Sequence, residues 1–120
     1  MTPAEVIEVF ARAWNTGNDA ERLALLTTAC APDAVFVAPR VRICGVEALS
    51  ASIAEFRCAF PSATVSFGSP DGSGGFARVA WATCWNNGQP PLTGEDFAQL
   101  ADDGRIRLLV SFDGEAAPSS

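Results

Sequence analysis

Three clusters of turn-forming residues divide the second half of this chain, and they constrain its fold more than any other feature. Asp71-Gly72-Ser73-Gly74-Gly75, Asn86-Asn87-Gly88 and Asp102-Asp103-Gly104 concentrate residues that supply or tolerate the backbone of tight turns. Between them lie strand-length segments: Ala63 to Ser69, Phe76 to Trp85, Leu92 to Leu100 and Arg105 to Phe112. Connections this short join antiparallel neighbours, so the pattern predicts a meander. Gly72, Gly74 and Gly75 read as a flexible hairpin loop, with no helix N-terminus beside them to cradle phosphate.

The first half carries helical spacing. Thr2-Pro3-Ala4-Glu5 reads as a capping box with proline at the first helical position. Val6, Val9, Phe10, Ala13 and Trp14 then recur on one face until Gly17. A second helix runs from Asn18 or Asp19 to about Thr28, carrying Leu23, Leu25 and Leu26. Pro32 and Asp33 break the pattern before a short strand, Ala34 to Ala38, and Val41 to Cys44 reads as another. Gly45 opens a third helix with the stripe Val46, Leu49, Ile53, Phe56 and Phe60, stopped by Pro61.

That order predicts an α+β fold, a strongly curved antiparallel sheet with three helices packed in its concave face. A ferredoxin-like sandwich would need a strand–helix–strand start, which two leading helices do not provide. Residues 1–114 read as one domain, with no repeat or linker, and Glu115 to Ser120 as a loose tail.

Composition narrows the chemistry. Among 120 residues there is no histidine, lysine or tyrosine. The commonest neutral-pH base, the Schiff-base amine and the phenolic donor are therefore missing. A formal charge of −6, with eight scattered arginines, argues against nucleic acid or an anionic membrane as partner. No apolar run has the length of a bilayer span, and Met1-Thr2-Pro3-Ala4-Glu5 lacks a secretion signal's charged flank, so the expected location is cytoplasmic. Cys30, Cys44, Cys58 and Cys84 lie far apart with no C-x-x-C pair. They read as reduced thiols filling small core positions, with a thiol activated by an arginine or a helix dipole as the alternative. No metal site and no cofactor are expected.

Several segments resemble a known family. Ala11-Arg12-Ala13-Trp14-Asn15-Thr16-Gly17-Asn18 is similar to the end of the first helix of NTF2-like proteins, where an N-x-G-D turn leads into helix two. Pro32-Asp33-Ala34-Val35-Phe36-Val37-Ala38-Pro39 resembles their D-D-A-x-F-x-D-P strand. Gly45-Val46-Glu47-Ala48-Leu49 is similar to their G-x-x-A-I helix start, and Asp103-Gly104-Arg105-Ile106 to their D-G-K-I turn. The likeness spans about Val6 to Asp113 and points to the SnoaL-like and ketosteroid-isomerase-like branch. It implies a conical α+β barrel with one internal pocket, usually a homodimer. The isomerases of that branch use a tyrosine where this chain has Phe10, a base aspartate where it has Ala38, and a protonated aspartic acid that matches Asp96. With the base and the phenol gone, classical steroid isomerisation does not follow. The Asp–Arg–Asp set of epoxide-opening relatives has no assignable counterpart.

Asp96 stands out without the resemblance. Leu92, Gly94, Asp96, Ala98 and Leu100 share a strand face that is otherwise apolar. A lone carboxylate there is desolvated and its pKa rises, which makes it a candidate acid. The plainer reading is an ion pair with Arg107, which a tight turn at Asp102-Asp103 would set diagonal to Asp96. That pairing puts Ala98 opposite Arg107, Leu109 opposite Asp96 and Ser111 opposite Gly94, so Arg107, Leu109, Ser111 and Asp113 join the pocket face. Periodicity disagrees, because Ile106, Leu108, Val110 and Phe112 form the more apolar set. Both hold if a dimer partner covers the outer face; a one-residue register error is the alternative.

Phe10, Trp14, Ala38, Ile53, Trp81 and Trp85 complete the expected ligand-binding wall. Arg40 and Arg42, near the cavity mouth, read as solvated, and Asp33 as a turn residue. Two functions follow. One is a small-molecule isomerase, dehydratase or cyclase with Asp96 as acid, and the other a non-catalytic domain that binds a hydrophobic molecule or serves as a scaffold. A transport-factor role like that of the superfamily's namesake has no visible sequence feature. The expected partners are a small hydrophobic ligand and a second copy of the chain.

Overall fold

A computed structural model describes residues 1–114, and the expected tail, 115–120, lies outside them. Helix α1 (Pro3–Asn15) starts at the expected capping box: Thr2 Oγ1 accepts from Glu5 N at 3.2 Å, and Glu5 accepts from Thr2 N at 2.9 Å. The Thr2 backbone N–H, and after it the Thr2 side chain, hold the Glu5 carboxyl below its ordinary pKa. Helix α2 (Asp19–Ala29) follows, capped by the Asn18 side chain. Its buried face is Arg22, Leu26 and Ala29, while Leu23 points outward. Arg22 is 1% exposed and bonds Asp19 and the Thr16 carbonyl, both at 2.7 Å, so it seals the corner between the two helices.

Strand β1 (Cys30–Ala38) is longer than expected and runs through Pro32 and Asp33. Its ladder to the last strand jumps between Cys30 and Val35. Pro32 sits in that irregular stretch, where its missing N–H breaks no bond. Strand β2 (Val41–Cys44) folds back on β1, and Gly45, at φ 89°, turns the chain into helix α3 (Val46–Ala59). Strands β3 (Thr64–Phe67), β4 (Asp71–Ser73), β5 (Phe76–Cys84), β6 (Leu92–Leu100) and β7 (Ile106–Asp113) complete the sheet.

The sheet order is β2-β1-β7-β6-β5-β3, with β4 paired to β5 beside that path. Strands β5, β6 and β7 form the predicted meander, β3 pairs antiparallel with β5, and β1 runs parallel to β7. The sheet is curved but unclosed, ending at β2 and β3. The α+β assignment holds. The expected glycine loop is instead a tight hairpin. Gly74 and Gly75, with φ of 62° and 84°, form a two-residue turn between Ser73 and Phe76, which creates β4.

The helices lie in the concave face. Val6, Phe10 and Ala13 of α1, Leu26 of α2 and Leu49 and Ile53 of α3 share one buried cluster with Phe36, Val79, Ile106 and Leu109 of the sheet. Asn15 ties α1 to the edge of the sheet, since its amide donates to Val65 O at 2.7 Å and accepts from Val65 N at 2.8 Å. No described helix is long and apolar enough to cross a membrane.

Candidate functional site

The concave face leaves a cavity of about 370 Å³ between the helices and the inner faces of β1, β3, β5, β6 and β7. Alternation along the strands decides which side chains reach it. Phe36 and Ala38 enter from β1, Val65 and Phe67 from β3, Trp81 and Thr83 from β5. Leu92 and Asp96 enter from β6, and Leu109, Ser111 and Asp113 from β7. Phe10 and Trp14, one helical turn apart on α1, and Phe56 on α3 supply the opposite wall.

Two groups of rings line it. Phe10 stacks on Phe36 with centroids 6.3 Å apart and leans on Phe67 at 5.8 Å. Trp14 meets Phe56 edge-on at 5.7 Å, and Phe60 lies 4.9 Å from Trp85. Such tilted arrangements place ring edges against ring faces and leave flat apolar walls.

Asp96 is the one ionisable group deep in this surface, only 4% exposed. Burial pushes its carboxyl pKa up from 3.8 to about 6, the nearby Ser111 hydroxyl and Trp81 indole pull it partly back, and Asp113 raises it again. Neither nearby donor closes a well-formed hydrogen bond. Asp96 Oδ1 and Trp81 Nε1 are both buried without a partner among the described residues, and so is Trp14 Nε1. A carboxyl so placed can exchange a proton with a bound molecule near neutral pH.

Most of the expected site residues come together. Asp96, Phe10, Trp14, Ala38, Trp81, Trp85, Ser111 and Asp113 all line the cavity. Ile53 does not; it is fully buried one helical turn from Leu49, in the core behind the wall. Arg107 does not either, for a reason that lies in the register. Asp96 pairs with Ser111, Ala98 with Leu109 and Gly94 with Asp113, two residues along from the expected pairing. A two-residue slip preserves the face, so Leu109, Ser111 and Asp113 still point inward. The ladder is irregular between Gln99 and Leu100, where Leu108 and Ile106 are paired and Arg107 is passed over. Arg107 is exposed there, and no ion pair with Asp96 forms. The same irregularity turns Ile106 into the core while Leu108, Val110 and Phe112 face outward.

Arg40 and Arg42 are exposed and line no part of the cavity. The thiols correct an expectation, because only Cys30 is buried while Cys44, Cys58 and Cys84 are exposed. Burial pushes the Cys30 thiol up to about 12, so it is inert at neutral pH. Among the described residues no group of His, Cys, Asp and Glu could hold a metal ion.

Sequence reasoning passed over Phe36, Phe56, Phe60 and Phe67 as site residues. Phe36 shares strand parity with Ala38, and Phe56 and Phe60 stand on the helical stripe, so that signal was present. Phe67 carried none beyond its place on the strand Ala63 to Ser69.

No protein-family model and no curated protein matches the chain. Solved structures do. A SnoaL-like family protein from Agrobacterium tumefaciens, provisionally named an isomerase, is 29% identical and covers 96% of this chain and 100% of its own, at TM-score 0.84. An NTF2-like protein of unknown function from Exiguobacterium is 16% identical over 92% of this chain and 99% of its own, at TM-score 0.75. A Sinorhizobium meliloti protein, provisionally named a polyketide cyclase, is 20% identical over 89% and 93%, at TM-score 0.71.

Proposed function

Because the chain belongs to the NTF2-like superfamily, we propose that its concave-face cavity is an active site for a small hydrophobic molecule. The reaction is an isomerisation, dehydration or cyclisation in which Asp96 acts as acid and no cofactor takes part. A polyketide-, steroid- or terpenoid-like skeleton suits the ring-lined walls, and the names of two similar proteins, an isomerase and a polyketide cyclase, agree with that class.

One observation carries the reading: Asp96 is buried in the cavity wall, unpaired by any arginine, with a pKa of about 6. A group so placed holds its proton in about one molecule in ten at pH 7, and a ligand that expels remaining water raises that share. It can therefore donate a proton and take it back within one turnover. The test is Asp96→Asn, assayed by ultraviolet absorbance on enone and hydroxyketone panels. Turnover is expected to vanish with the circular dichroism spectrum unchanged. Turnover that survives removes Asp96 from the mechanism.

A second reading has its own support. Phe10 and Ala38 line the cavity, and the sequence resemblance matches them to the phenol and the base of steroid isomerases, so a binding or scaffold domain without catalysis also fits. Ligand retention in the absence of any turnover would favour it.

The partner we propose is a second copy of the chain, packed through the outer sheet face. Phe76, Phe97 and Phe112 are 60%, 42% and 53% exposed there, and Phe97 meets Phe112 edge-on at 5.8 Å. Arg78 and Glu95 lie on the same exposed face, and a patch with both charge signs can be complementary to itself. No other macromolecular partner is proposed.

A further inference from the structure

We infer that the mouth of the cavity reads the charge of the ligand, and that Asp113 there selects a molecule with a cationic amine head on an apolar body. The inference rests on the cavity being a ligand site, as proposed above, and adds the chemical class that the site takes.

Exposure locates the mouth. Of the residues that line the cavity, Val41, Phe60, Leu92 and Asp113 are exposed, whereas Phe10, Phe36, Leu49 and Asp96 are buried. The strand registers set the exposed four around one end of the sheet. Ala38 pairs with Val41, Gly94 with Asp113 and Leu92 with Thr83, while Trp85, two residues past Thr83, meets the Phe60 ring at 4.9 Å. Three of the four are apolar. Asp113 alone carries a charge, and it forms no ion pair among the described residues.

The lining is acidic throughout. Its ionisable residues are Asp96 and Asp113, and none of the chain's eight arginines lines it. Further in, Asp96 is 4% exposed, and its Oδ1 is buried without a partner. Burial is the main cause of the raised Asp96 pKa and Asp113 adds to it, so the charge at the mouth is felt at the inner wall. An anion entering there would lose its hydration beside two acids. An ammonium would meet the Asp113 carboxylate, with the aromatic rings of Phe60 and Trp85 nearby to attract it. An alkylated one suits the rim best, because its carbons can pack on Val41 and Leu92. The cavity of about 370 Å³ then takes the apolar body, and Asp96 is left to act on that body.

Equilibrium dialysis with three naphthalenes of similar shape tests this: trimethyl(naphthalen-2-ylmethyl)ammonium, its uncharged isostere 2-neopentylnaphthalene, and naphthalen-2-ylmethanesulfonate. The wild type is expected to bind the cation about thirtyfold or more tighter than the sulfonate. Added potassium chloride should weaken the cation and spare the neopentyl compound. Asp113→Asn should weaken the cation about fivefold while moving the neopentyl compound by less than about twofold. A sulfonate bound as tightly as the cation, or a cation affinity unmoved by Asp113→Asn, overturns the inference and leaves the cavity standing as a ligand site. Failure of all three to bind overturns the ligand-site reading along with it. The wild-type comparison of cation with sulfonate decides the matter even if the variant folds poorly.

Discussion

Trp81 lies across Gly94, the residue directly opposite it on the next strand, and fills the space a side chain there would take. A Cβ at position 94 would stand 2.6 Å from Trp81 Cε2 and would also run into the Phe112 carbonyl oxygen. Gly94 is buried, and its bareness lets the indole lie near Asp96 instead of being pushed away from the sheet.

Gly94→Ala should therefore damage the site before it damages the fold. The backbone carbonyl cannot move far, so the cost is expected at about 1–3 kcal/mol, typical of an overpacked core. With Trp81 displaced, any ligand held by the wild-type protein should bind at least about tenfold more weakly. Urea unfolding and equilibrium dialysis measure the two effects. An unchanged affinity would show that the Trp81 position does not matter to binding.

Asp96 also sets a pH dependence. Its folded pKa of about 6 stands above the ordinary 3.8, so the folded state holds the proton more tightly than the unfolded chain does. The sign follows: Asp96 costs stability in full above pH 6, progressively less as pH falls through the window, and nothing below about pH 4. The full cost is on the order of 3 kcal/mol. Asp96→Asn should accordingly be more stable than wild type at pH 7 by about 1–3 kcal/mol, with the difference closing by pH 4. Urea melts of both proteins at matched pH give the comparison, and a constant difference across pH would refute the shifted carboxyl.

Phe112→Asp tests the outer face. Phe112 is exposed beside Phe97, away from the cavity, so a charge there leaves the core intact. Sedimentation at micromolar concentration should find the wild type at twice its 12.6 kDa mass and the variant at that mass, with equal circular dichroism. A monomeric wild type would remove the proposed pairing.

Much of this architecture was legible because local signals and tertiary packing agree. The capping box at Thr2, the Gly45 turn and the meander all appear where residue chemistry places them. What escaped prediction were irregularities. Strand β1 passes through Pro32 because its ladder to β7 lapses there, a fact that depends on a partner roughly seventy residues away and leaves no local mark. Arg107 was misplaced for a similar reason: a tight-turn register extrapolates evenly along two strands, while the real ladder skips a residue. The inward set survived because the slip was an even number. Asp96 was visible as the only charge on an apolar strand face, whereas the unpaired indoles depend on distances no sequence pattern encodes.

The parallel pairing of β1 with β7 joins the first strand of the described residues to the last. Until Ile106 to Asp113 is in place, Phe36 has only β2 beside it, and the β1–β2 pair stays apart from the rest of the sheet. A nascent chain cut before that point would carry a bare greasy surface instead of a smaller working domain.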